Sequence, residues 1–457
     1  MEKSIAVKLV AVIAVLVIAV AGTFIFLNNG GGSNNDSGTT DDYLTEKSGT
    51  ATVQNINTKL HVFGNANNDL YLNNEDIEFI QNIVDGNTKW KSTENPFADT
   101  NADGSITSED VKLLKEIIAG HDATMFYVDS LLDTHYITYP LKGNICISQQ
   151  IDYEMLKVCN RTDMITAYSD MTVNEDSFPG SSDWKNVGTY PYDYERTVAA
   201  GVNITFGQDY NYDDTFDRLV KEGQSSYKLD SIKLFEGRYM NNVDSISCII
   251  TLGVLMNSTN DTSYKNYLSY IDGVNKIIDD ATSSITTTKS YALIVTHATS
   301  SPSEIGIDNE TTAVMNYSDI DMVETLEMIP SYPVGPECYM RGKTIEDIMK
   351  YNPDVIFIEE SRGSSTHDDY QKNVLEIADW FRSAGYTGQI IGIHWSVCGS
   401  SSFIAALPIL TDFIYGNDLE GKDSSWKELV NYYNTFLGMG FDVDGLKKSI
   451  YAPFVVE

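Results

Sequence analysis

The chain has 457 residues, a hydrophobic fraction of 42% and a formal net charge of −34. Such a length exceeds one ordinary core and predicts two or three globular units with connecting segments. The excess of carboxylates makes binding to nucleic acid or to anionic lipid headgroups electrostatically unfavourable, so no nucleic-acid partner is expected, and a solvated acidic surface is the plainer reading of the charge.

Leu9 to Leu27 read LVAVIAVLVIAVAGTFIFL, uncharged and long enough for one bilayer crossing. Lys3 and Lys8 precede the run and place the amino end in the cytoplasm. A cleaved signal peptide is the rival, but the run exceeds the usual apolar region of one, and no cysteine follows to carry a lipid anchor. Residues 1–27 are therefore predicted to be a signal-anchor transmembrane helix, with everything beyond it on the extracellular face of the cytoplasmic membrane. Asn-x-Ser/Thr triplets at Asn35, Asn160, Asn203, Asn257, Asn260, Asn309 and Asn316 agree with an exported surface. Residues 28–57, rich in Gly, Ser, Thr, Asn and Asp, are predicted to be a flexible linker.

Residues 58–122 hold one twelve-residue phrase twice, NANNDLYLNNED at 65–76 and DTNADGSITSED at 99–110. Each runs into an amphipathic helical pattern, IEFIQNIVDG or VKLLKEIIAG, that ends at Gly86 or Gly120. In the second copy Asp99, Asn101 and Asp103 stand at places one, three and five, Ser105 offers its carbonyl at seven, and Asp110 closes at twelve. Gly104 supplies the turn at place six. Oxygen donors at that spacing converge on one hard cation, calcium. The first copy offers Asn65, Asn67, Asp69, the Tyr71 carbonyl and Asp76, with Leu70 in place of the glycine, which predicts a weaker site. Helix-capping Asn/Asp turns are the alternative for either copy alone.

The duplicated loop and helix resemble a type I dockerin over residues 58–122. That resemblance implies calcium as cofactor and a cohesin-like surface protein as partner, recognised through places ten and eleven. Those places are Asn74/Glu75 and Ser108/Glu109, where the family commonly has Ser-Thr. A calcium-stabilised spacer is the other reading.

From residue 123 short apolar runs alternate with helical patterns. NICISQ, DMITAYS, YALIVTH, DVIFIEE and QIIGIHWS read as strands; DTFDRLVKEG, DSISCIITLGVLMN, TIEDIMKYN and VLEIADWFRSAG read as helices. The expected fold class is α/β, with mainly parallel sheets covered on both faces. YKNYLSYIDGVNKIIDDATSSI, interrupted only by Gly273, is predicted to bridge two Rossmann-like lobes, 123–260 and 286–457, across 261–285. The five cysteines are few and scattered, which excludes a disulfide scaffold and a closely spaced zinc motif. No nucleophile elbow, phosphate-binding glycine loop or HExxH occurs. His297 and His394 end apolar strand patterns, where α/β sheets place ligand contacts, although a structural hydrogen bond is the plainer role for either.

RGKTIEDIMKYNPDVIFIEE followed by QIIGIHWSVCGSSSFIAALPIL resembles the second lobe of the substrate-binding proteins of iron-siderophore and cobalamin ABC transporters. YERTVAAGVNITFG is similar to the matching stretch of the first lobe. The resemblance spans about residues 123–457 and implies no enzyme, but a receptor that captures an iron chelate, haem or corrinoid and delivers it to an ABC permease. It implies that Glu195 and Glu346, one per lobe, dock the permease, the first lobe lacking the Pro-Asp of the second. Strand-end loops facing the expected cleft carry Tyr168, Tyr190, Tyr210, Tyr339, Arg362 and Trp395. Aromatic walls suit a large flat chelate, and arginine suits its anionic groups. A metal-dependent enzyme on the same scaffold would need a tight Asp/Glu/His cluster, which the dispersed histidines do not suggest; a dockerin-bearing structural surface protein is the third class.

Overall fold

Two copies of one helix-start signal shape the first elements. Helix α1 (Asn74–Val84) begins at Asn73 and α2 (Ser108–Ile118) at Thr107, each in a capping box closed by the last acid of the preceding loop, Asp76 or Asp110. Both helices end alike. Gly86 and Gly120 lie at positive φ and donate to Ile83 and Ile117, while Asn87 and His121 donate to Asn82 and Glu116. These paired bonds satisfy the last carbonyls of each helix.

The structure, a computed structural model, describes residues 53, 58–128, 134–147, 150–169, 173, 178–188, 193–208, 230–235, 245–283, 285–296, 299–308, 331–333, 339–398, 402–416 and 419–457. All belong to one compact unit, Tyr43–Glu457. The expected anchor at 1–27, nearly all of the linker at 28–57, the DTFDRLVKEG helix and His297 lie outside the described residues. Among the described residues, no helix is long and apolar enough to cross a membrane.

A hairpin that the sequence patterns do not predict comes directly after the repeat. Strands β1 (Ala123–Val128) and β2 (Thr134–Tyr139) pair antiparallel, and Val62 adds a bridge to Tyr127. The repeat is thereby joined to the elements that follow, with Leu60, Val62, Leu113 and Ile117 sharing the main core. The expected boundary at 122/123 is thus crossed by a continuous apolar core.

The first large sheet contains β3 (Ile145–Ile147), β4 (Ile165–Tyr168), β5 (Lys185–Asn186), β6 (Ile204–Gln208) and β7 (Asp230–Phe235), all parallel, in the order β5-β4-β3-β6-β7. Helices α3 (Gln150–Val158), α4 (Tyr194–Ala199) and α5 (Ser245–Leu255) belong to the same half. Helix α6 (Thr262–Thr282) then runs 21 residues, unbroken at Gly273, to the second sheet. Gly253 of α5 faces the Tyr264 ring so closely that any Cβ there would collide with it, which sets the spacing of α5 and α6.

The second sheet is mixed rather than wholly parallel. β8 (Lys289–Val295), β10 (Ser331–Pro333), β12 (Val355–Glu360) and β13 (Gln389–His394) are parallel, whereas β9 (Ile305–Asp308), β11 (Tyr339–Lys343) and β14 (Phe454–Val456) pair antiparallel to their neighbours. The near-continuous apolar runs of its central strands reflect burial on both faces. Leu293, Phe357 and Ile391 join the main core, which holds α10 (Ser402–Tyr415) and α11 (Asp423–Tyr432). Ile294, Ile356 and Ile390 alternate to the other face, against α7 (Ile345–Met349) and α8 (His367–Ser383). The described cysteines, Cys146, Cys159, Cys248 and Cys398, are buried and unbridged, so they serve as small core residues.

Candidate functional site

In open α/β sheets ligands bind beyond the carboxyl ends of the strands, where the strand order reverses. The two sheets have equivalent reversal points. In the first, the chain steps outward from β3 to β4 and β5 and then resumes on the opposite side with β6 and β7. In the second, β10 lies on one side of β8, and β12 and β13 on the other.

The two halves are also stitched alike. Asn203, just before β6, accepts a hydrogen bond from the backbone N–H of Asn144, just before β3, at 2.6 Å. Asp354, just before β12, accepts from the N–H of Ser290 at the start of β8 at 2.8 Å, and this bond holds its carboxyl below the usual aspartate range. Asn203 therefore performs in the first half the structural task of the Asp in NPD. Glu195 and Glu346 are the second residues of α4 and α7, the helices that lead into these stitched strands, and both are exposed. Asp193 caps α4, and Thr344 with Asp347 forms a capping box on α7, so neither glutamate is used as a cap.

At the reversal point of the second sheet lie Thr296, Ser361 and Arg362. The Ser361 N–H donates to Thr296 Oγ1 at 2.8 Å. Arg362 turns back on the protein: Nε donates to the Thr296 carbonyl at 3.2 Å, Nη2 to the Thr299 carbonyl at 2.8 Å, and Nη1 to Glu376 at 3.2 Å. Most of its donor fork is committed to structure. Arg362→Ala should accordingly cost about 2 kcal/mol of stability, read by urea denaturation, because it leaves two carbonyls without a charged donor.

Beside it, the carboxyl ends of β12 and β13 bring together Glu360 and His394, 0% and 1% exposed. The Ser396 N–H donates to His394 Nδ1, which assigns the proton to Nε2, 3.3 Å from Glu360 Oε2 and 3.2 Å from the Ser364 carbonyl. Glu360 also accepts from the Arg362 N–H and from Asn373 Nδ2. Burial pushes the Glu360 carboxyl up, but these donors outweigh it and the net shift is downward from 4.5. A depressed pKa gives stability that is present above the ordinary glutamate range and lost as pH falls through the folded value. Glu360→Gln should therefore lower stability by roughly 1–3 kcal/mol at pH 7. The gap between variant and parent should narrow in denaturation curves below pH 4.5.

Trp395 opens the short helix α9 (Trp395–Cys398) directly after His394, with a ring-centroid separation of 6.0 Å, and keeps 36% of its surface exposed. Tyr168 ends β4, half-buried against the main core. Tyr339 does not lie in a loop beyond a parallel strand. It begins edge strand β11 opposite Asp308, which is itself opposite Leu293 in mid-sheet. Tyr190 and Tyr210 lie outside the described residues. The structure thus gathers Arg362 and Trp395 at one sheet end with Glu360 and His394. Glu360 was missed because it ends an apolar run that reads as core; an acidic residue closing such a strand was the available signal.

The repeated loops share their backbone. Asn68 and Ala102, both at place four, have φ of 62° and 52°. At place six Gly104 has φ of 92°, whereas Leu70 stays out of the left-handed region, which a β-carbon disfavours. Asp99 Oδ2 accepts from the Gly104 N–H at 2.6 Å, Asp76 Oδ1 from Ala66 at 2.8 Å, and Asp110 Oδ1 from Asn101 at 3.2 Å. Burial pushes Asp76 and Asp99 up to about 6 and also raises Asp110. Asn65 is fully buried; its amide donates to Leu60 and Asp69 carbonyls, yet its Oδ1 has no hydrogen-bond partner among the described residues. Asn67 and Asp69 are half-buried and bonded to each other, Tyr71 is exposed, Asn101 is buried, and Asp103 and Ser105 are exposed. Among the described residues no three His, Cys, Asp or Glu side chains converge as a metal-binding group.

No protein-family model matches the chain, and no curated protein matches it. Solved structures similar to it include a TroA-like periplasmic binding protein, FepB, from Veillonella parvula. Identity is 15%, the match covers 73% of this chain and 99% of that one, and the TM-score is 0.48. The molybdate periplasmic binding protein MolA of Haemophilus influenzae is 13% identical over 69% of this chain and 99% of its own, with a TM-score of 0.48. The periplasmic haem-binding protein HutB of Vibrio cholerae is 12% identical over 60% and 99%, with a TM-score of 0.41.

Proposed function

We propose that the chain is an extracytoplasmic solute receptor that hands a metal chelate or corrinoid to an ABC permease. The observation that carries this reading is the equivalence of Glu195 and Glu346: each is an exposed acid on the helix entering the strand across a reversal point, in halves stitched by Asn203 and Asp354. The lobes are 123–260 and 286–457, bridged by 261–285. An iron-siderophore, haem or cobalamin would sit at the strand ends, against Trp395 and Tyr168, with Tyr190 and Tyr210 as further walls and Arg362 as the cationic contact beside its structural bonds. The protein is held at the cell surface by residues 1–27 through the linker 28–57. Small-molecule mass spectrometry of purified protein should detect one copurified chelate or corrinoid. Trp395→Ala should weaken its rebinding about tenfold or more, since one stacked aromatic contributes of the order of 1–2 kcal/mol. A protein that copurifies with none of these and binds none added would overturn the reading.

Residues 58–122 are the calcium-dependent base of this receptor. The fit is best judged at Asn65, whose buried Oδ1 lacks a partner among the described residues, and at Asp76, Asp99 and Asp110, whose burial disfavours their charges until a cation offsets them. Asn67, Asp69 and the Tyr71 carbonyl would complete the first loop's site, and Asn101, Asp103 and the Ser105 carbonyl the second's. The exposed Asn74, Glu75, Ser108 and Glu109 leave the recognition places open to a cohesin-like surface protein.

A further inference from the structure

A cavity of about 500 Å³ lies between the repeat and the bridging helix, away from the strand ends. Its apolar wall comes from Leu70 and Leu72 of the first loop, Ile117 of α2, Val254 of α5 and Leu268 of α6. Tyr139, the last residue of β2, also lines it. That side chain is 3% exposed. Burial alone pushes the phenol up to about 12. A phenol in the lining can donate to, or accept from, a polar group held in the cavity. Lys265 and Ser269, one turn apart on α6 and both exposed, line the mouth.

The volume is that of an ordinary small-molecule site, with apolar walls and a few convergent polar groups. An apolar body fits the Leu/Ile/Val wall, an acceptor fits the Tyr139 hydroxyl, and an anionic end fits the Lys265 ammonium in a chain otherwise rich in carboxylates. We propose that this cavity is a second ligand site, selective for a small amphipathic carboxylate. It shares no residue with the strand-end site, so the receptor reading can fail while this one holds.

The test titrates the full chain, in calcium, with the fluorescent probe 8-anilinonaphthalene-1-sulfonate, and then displaces the probe with decanoate or with uncharged decan-1-ol. One saturable site is expected, with decanoate displacing the probe at least tenfold better than the alcohol. Ser269→Trp, which covers the mouth from an exposed position, should weaken probe binding at least tenfold. Lys265→Glu should erase the preference for decanoate, and Tyr139→Phe should weaken decanoate about threefold. Subtracting the Ser269→Trp signal removes probe bound to the apolar segment at Leu9–Leu27. Circular dichroism checks that Ser269→Trp and Lys265→Glu, both at exposed positions, remain folded. Saturable binding that is unchanged in both folded variants, or no saturable binding in the parent, would overturn the proposal.

Discussion

Replacing Glu195 and Glu346 together by Lys should leave the protein folded and its solute affinity nearly unchanged while reducing uptake by roughly 100-fold or more. Placing like charges face to face costs several kcal/mol, and about 1.4 kcal/mol is a factor of ten. Both side chains are exposed, and neither caps its helix, so the cost in folding is limited to an unfavourable charge at each helix start, about 0.3–1 kcal/mol apiece. Each single variant should show an intermediate loss that deepens at low salt, because rim charges act mainly on encounter and are screened. Stimulation of the permease ATPase by the solute-loaded variant is the direct readout. Normal transport by a folded double variant would remove the docking role. Lost solute binding would instead place these glutamates at the solute site.

Calcium should raise the thermal midpoint of the whole chain and not of the repeat alone, because Leu60, Val62, Leu113 and Ile117 share one core with residues of both large sheets. Ligand that binds only the folded form stabilises by mass action, about 2.7 kcal/mol at a hundredfold excess over Kd. Asp110→Ala should abolish more of that calcium-dependent shift than Asp76→Ala, since Gly104 provides the left-handed turn in the second loop and Leu70 does not in the first. Both aspartates also close capping boxes, so each alanine variant loses about 1 kcal/mol without calcium. The comparison must therefore be of midpoint shifts between calcium and chelator. A chain whose midpoint ignores millimolar calcium has capping loops and no cation sites.

The sequence by itself determined the elements whose cause is local. Capping acids, terminal glycines and continuous apolar runs specify α1, α2, β8, β12 and β13, because hydrogen bonding at helix ends and burial of a strand depend on neighbours a few residues away. The calcium-type spacing was legible for the same reason, whereas the pairing of Glu195 with Glu346 came from the family resemblance. What only the tertiary structure decided rests on distant partners. The hairpin β1–β2 exists because Val62 and Phe63 meet Tyr127 and Phe126, and no periodicity in 123–139 announces that contact. Tyr339 reads as a loop aromatic, yet antiparallel pairing with β9 draws it into a sheet edge. Asn203 does the work of Asp354 through a bond to Asn144, 59 residues away, which the missing Pro-Asp concealed. That Arg362 also ties the carbonyls of Thr296 and Thr299 together was likewise hidden, because a guanidinium takes the acceptors that tertiary packing brings to it.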